Sequence, residues 1–131
     1  MITRSIKGSL VLAAGLVLAA LALAYASGQG WIGADMDKRL VQALIGAILV
    51  LFGNAVGKRL PDEAAKPEPR PGMGAARRFF GLALVVGGLV HALSWLFAPL
   101  DVANWLSMAA VVLALLAGLT RVAMTLRAPA D

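Results

Sequence analysis

The chain has a single histidine, His91, and it lies inside an apolar run. An imidazole can accept or donate a proton, or ligate a metal, near neutral pH. Inside a membrane, such a group marks a pathway or a binding site unless other helices satisfy it. Four uncharged polar residues lie at comparable depth, one in the same run and three in neighbouring runs. Gln42 is about one turn in from the start of the second helix, and Ser94 is one turn beyond His91. Asn104 and Ser107 open the fourth run. A helical rise of 1.5 Å per residue puts His91 about 21 Å from Arg77, in the half of its helix nearest Ser94. Lys38, Arg39 and Asp101 stand just beyond these five. Gln42, His91, Ser94, Asn104 and Ser107 are therefore the candidate binding residues for a small molecule or ion, with His91 as proton acceptor or ligand. The competing reading is that they only hydrogen-bond across helices, worth about 0.6–2 kcal/mol each.

Other chemistries are excluded. One histidine supplies neither the two axial ligands of a membrane b-type haem nor a zinc ligand set. The absence of cysteine removes disulfides, thiol redox chemistry and cysteine-bound metals. No apolar run contains the embedded carboxylate on which proton-coupled exporters depend. No HExxH motif, carboxylate pair or serine with a base in reach is visible. A non-enzymatic protein without metal or cofactor is expected.

The elements that position these residues are four apolar runs, at 9–26, 40–57, 79–98 and 102–120, each free of Asp, Glu, Lys and Arg. The chain is 60% hydrophobic over 131 residues, against about 45–50% for soluble domains. Each run is near the roughly 20 residues that a helix needs to span the hydrocarbon. None shows the alternation of a barrel strand. The expectation is an all-α, integral membrane four-helix bundle forming a single transmembrane domain over 1–131. Its helices are placed at about 7–27, 38–57, 77–98 and 102–126, with a linker at 58–76. Ala24-Tyr25-Ala26 also fits a signal-peptidase site, but the run before it exceeds the roughly 7–15 residues of a signal core, so a retained helix is expected. Acidic residues at 35 and 37 are expected to cap helix two, and Asp101 helix four. The short Ala98-Pro99 break makes helices three and four antiparallel neighbours.

Orientation follows from the cations. Ten of the twelve lysines and arginines lie before helix one, between helices two and three, or after helix four; only Lys38 and Arg39 lie between helices one and two. The positive-inside rule then puts both termini in the cytoplasm, with two antiparallel hairpins joined by a Pro-rich cytoplasmic loop. The loop carries Pro61, Pro67, Pro69 and Pro71 and reads as an extended linker. Orientation accounts for the net charge of +5, so nucleic acid is not an expected partner.

Small residues stripe every helix. Gly46, Gly53 and Gly57 align on helix two, Gly87 and Gly88 lie on helix three, and Gly118 follows Ala110 and Ala114 on helix four. Gly8, Gly15, Ala19 and Ala22 align on helix one. Such stripes let backbones approach closely where no hydrophobic drive exists. Gly46, Gly53, Asn54, Gly57, Gly87, Gly88 and Gly118 are the expected packing residues. Asn54 is placed there as a hydrogen bonder for carbonyls loosened by the flanking glycines; its alternative is a substrate contact at the cytoplasmic mouth. Both Gly8–Gly15 and Gly81–Gly88 are seven apart and are followed by Leu-Val, a faint echo of duplication.

The segment IGAILVLFGNAVGKRLP, residues 45–61, resembles the end of the signature helix in bacterial SdpI-like membrane proteins, through Gly53 and Asn54. The resemblance covers one helix of four and implies immunity or signalling in a bacterial inner membrane. The functional expectation is an accessory or immunity-type inner-membrane protein whose partners are the lipid bilayer and another membrane protein or further copies of itself. The alternative is a small oligomeric transporter or channel built around His91.

Overall fold

The computed structural model describes residues 2–58, 66–68 and 70–129, with backbone alone for 2–6. Four helices follow in order: α1 (Ile2–Gly28), α2 (Ala34–Val56), α3 (Met73–Phe97) and α4 (Leu100–Arg127). No strand occurs among the described residues. Every helix carries a stretch long and apolar enough to cross a membrane. The chain is all-α and has the make-up of a multi-pass membrane protein.

The helices outrun the apolar segments that announce them. The connection after α1 is tight: Gly30 takes a φ of 72°, and the Trp31 amide donates to the Ala26 carbonyl at 2.9 Å. The Trp31 ring meets Tyr25 edge-on at 5.7 Å. α2 then starts at Ala34, nearly two turns before its apolar run. Gly33 is its N-cap and makes no side-chain bond; Asp35 and Asp37 lie in the first turn, where a carboxylate suits the helix dipole. α3 likewise begins at Met73 rather than 77. Gly72, with φ 79°, turns the chain into it, and Ala76 is fully buried there. α4 starts at Leu100, behind Pro99. Asp101 is therefore inside the first turn and is not the cap expected of it; the Pro99 carbonyl accepts from the Ala103 amide at 2.8 Å. Of the expected linker, positions 59–65 and 69, with Pro61 and Pro69, lie outside the described residues.

Packing is unequal. α3 lies against α2 on one side and α4 on the other; α1 approaches α2 alone, and lightly, and α2 and α4 make no close backbone approach to each other. Burial follows this order. α3 holds nine buried residues, α4 four and α2 two glycines, while the α1 span Lys7–Gly28 buries none. The packed body is thus three helices with α3 at its centre, and α1 stands at its margin instead of joining a four-way core.

Candidate functional site

α2 and α3 are antiparallel, with glycines set opposite glycines. A Cβ on Gly46 would fall 2.6 Å from the Gly88 carbonyl oxygen, and one on Gly88 would fall 2.7 Å from that of Gly46. Gly53 and Gly81 repeat this exchange at 2.6 and 2.5 Å. Gly57 lies near Gly81 and Arg78 at ordinary contact distance. On the α4 side, a Cβ on Gly87 would fall 2.7 Å from that of Ala114, and one on Gly118 would enter the Phe80 ring. All of these glycines except Gly57 sit in seams that admit no side chain. Asn54 is not among the packed residues, because it is exposed beside Gly53.

The seam continues in steps of seven toward the α2 N-terminus: Arg39, Gly46 and Gly53 on one helix face Trp95, Gly88 and Gly81 on the other. Where glycine gives way to large residues, the contacts become polar. His91 is 8% exposed, and its Nε2 lies 3.2 Å from Gln42 Oε1. With the amide oxygen as acceptor, Nε2 carries the hydrogen. The other ring nitrogen, Nδ1, is buried without a partner. One turn on, Trp95 donates from Nε1 to Ser107 Oγ at 3.0 Å, and Ser107 Oγ donates to the Asn104 carbonyl at 3.1 Å. Trp95 and Ser107 are 2% and 1% exposed. Arg39 reaches across from α2, donating from one guanidinium nitrogen to the carbonyls of Trp95 at 2.7 Å and Ala98 at 2.8 Å. It thereby satisfies acceptors left open at the end of α3. The Lys38 ammonium stands 5.4 Å from the Trp95 ring centroid, within cation–π range. Asp37, in the same turn of α2, has a buried Oδ1 without a partner.

Of the five candidate binding residues, three enter this seam: Gln42 with His91, and Ser107 through Trp95. Ser94 turns back on its own helix and donates to the Val90 carbonyl at 2.5 Å. The Asn104 side chain is exposed and contributes only its main-chain carbonyl. Asp101 is exposed as well. Gln42 and His91 tie α3 to α2, and Ser107 ties α4 to α3 through Trp95, while Ser94 and the Asn104 side chain join neither contact. The centre of the arrangement is Trp95, one turn beyond His91 on α3, which Arg39, Ser107 and Lys38 all meet. The available signal was register: a spacing of seven from Gly53 through Gly46 reaches Arg39, and from Gly81 through Gly88 reaches Trp95.

The opposite end of the body is basic. Arg70 donates to the Leu126 carbonyl near the end of α4, and Arg77 donates to the Lys58 carbonyl at 3.4 Å. A cleft of about 530 Å³ there is bordered by Lys58, Glu68, Arg77 and Arg78. No group of three or more metal-ligating side chains occurs among the described residues.

No family model matches the chain, and no curated protein and no solved structure matches it.

Proposed function

We propose that the chain is a non-enzymatic accessory protein of a bacterial inner membrane, and that α1 is the helix it offers to another membrane protein. The observation that carries this reading is the contrast between α1 and the other three helices. The glycines of α2, α3 and α4 are spent on one another. Gly8 and Gly15 on α1 have nothing within 4 Å where a side chain would begin. A small-residue face in lipid gains most from a second backbone that can approach it, and no other helix of this chain comes that close at Gly8 or Gly15. The cation distribution supports cytoplasmic termini. An immunity-type partner, as the SdpI-like resemblance implies, fits the same arrangement.

The absence of cysteine makes the test direct. A cysteine placed at Gly15 should cross-link in native membranes to a discrete second protein, whereas one placed at Leu89 on α3 should not. An adduct between two copies would make the partner a second molecule of this chain. Only unmodified monomer at every α1 position would overturn the proposal.

A transport reading keeps one specific support, the unpartnered Nδ1 of His91. Under it, His91→Gln leaves the protein folded and abolishes flux of the transported species. Under the accessory reading the same variant leaves cross-linking from α1 unchanged.

A further inference from the structure

We propose that the basic cleft between the end of α2 and the start of α3 binds a phosphate group, and that the Glu68 carboxylate holds the position in its absence. The inference is independent of what α1 contacts, so it stands or falls apart from the reading above. The cleft holds about 530 Å³ and is bordered by Gly57, Lys58, Glu68, Gly74, Arg77 and Arg78. That volume lies in the range of small-ligand sites, about 300–1,000 Å³. Three of the bordering residues are cations and one is an anion, so the cleft carries two positive charges in excess.

Glycine brings the cations together. Gly53 and Gly81 hold the two backbones in contact, and one turn on, a Cβ on Gly57 would lie 3.9 Å from the Arg78 Cα. Lys58 therefore leaves the end of α2 beside Arg77 and Arg78 in the second turn of α3. The Arg77 guanidinium donates to the Lys58 carbonyl at 3.4 Å and ties the two sides of the cleft. Lys58 and Arg78 are exposed. The floor is the first turn of α3, where a Cβ on Gly74 would overlap the Glu68 carboxylate. An anionic group thus already lies in the cleft, near the positive end of the α3 dipole, and it sets the class of ligand. Glu68 belongs to no helix, so it can withdraw without breaking a contact between helices. A phosphate offers more acceptor oxygens than a carboxylate and pairs as well with guanidinium groups. A lipid headgroup at the level of the helix ends and a soluble phosphate present the same chemistry to these cations.

The test has two arms, both on the full chain in neutral detergent micelles. In the first, native mass spectrometry reads retention of phosphatidylglycerol against phosphatidylcholine. In the second, calorimetry reads binding of inorganic phosphate. Selective retention of phosphatidylglycerol makes the source a lipid headgroup, and a phosphate isotherm alone makes it a soluble phosphate. In whichever arm binds, Glu68→Gln should tighten binding about fivefold by removing the competing anion. The double variant Lys58→Gln/Arg78→Gln should weaken it about thirtyfold, each charge being worth about fivefold. Lys58→Arg should preserve binding, because a role in charge survives that exchange. Arg121→Gln removes an exposed cation outside the cleft and should change nothing. Neither selective retention nor an isotherm, no tightening with Glu68→Gln, or a loss with Arg121→Gln equal to that of the double variant would each overturn the proposal.

Discussion

His91 and Gln42 face each other across two helices, with one hydrogen bond between them and a ring nitrogen left over. Their coupling is measurable. A double-mutant cycle with Gln42→Leu and His91→Leu, read by denaturant unfolding in micelles, should give about 0.6–2 kcal/mol of interaction energy. A value near zero would mean that the two side chains are held in place by their surroundings alone. The glycines make a sharper contrast at the same scale. Gly46→Ala drives a methyl group against the Gly88 carbonyl and should cost about 1–3 kcal/mol by the same measurement. Gly15→Ala meets nothing and should change stability by less than about 0.5 kcal/mol. In sequence these two glycines look alike, since each stands in a small-residue stripe of an apolar helix. What separates them is the facing helix, and no local pattern reports that. The same limit applies to Ser94 and Asn104, whose depth was legible and whose direction was not. A serine in a helix can satisfy itself on its own backbone, so position alone does not make it part of a site.

At the scale of elements, the clearest device is the crossing of Arg39 onto the end of α3. A helix end leaves four carbonyls without internal partners, and in an interfacial setting water satisfies them only in part. Arg39 takes two of the carbonyls near that end. Arg39→Gln should lower unfolding stability by about 1.5–3 kcal/mol, the worth of hydrogen bonds to a charged group, and should selectively speed amide exchange in the last turn of α3. Uniform exchange across α3 would argue against capping. The four helices were readable because a span of about 20 apolar residues has few alternatives. Their ends were less readable: α2 and α3 begin in polar or mixed segments, where hydropathy carries no information and geometry at Gly33 and Gly72 decides. The cap assigned to Asp101 failed for a related reason: the helix begins at Leu100, so Pro99 takes the cap position and Asp101 falls inside the first turn, where its carboxylate still suits the helix dipole.

For the whole molecule, the unequal attachment of α1 predicts unequal order. Spin labels at Ala20 on α1 and Leu93 on α3, in lipid nanodiscs, should give a broad distance distribution. Labels at Ile45 on α2 and Leu89 on α3 should give a narrow one. Two equally narrow distributions would show α1 held as firmly as the rest. A bundle of four equal helices is the natural reading of four equal apolar runs, and hydropathy cannot tell a helix that faces protein from one that faces lipid, because both environments reward the same residues.

The mirrored placement of Gly46 against Gly88 and Gly53 against Gly81 has a further consequence for how this interface can change over generations. Each partner's oxygen occupies the spot where the other would grow a methyl group, so neither chain segment offers slack for its opposite number to borrow. A lone replacement prises the two rods apart, and the second then enters a gap already open, so the paired replacement should cost less than its parts combined. Drift along this line is therefore awkward in single steps and easier in couples, and the sites should tend to stay bare or to fill together.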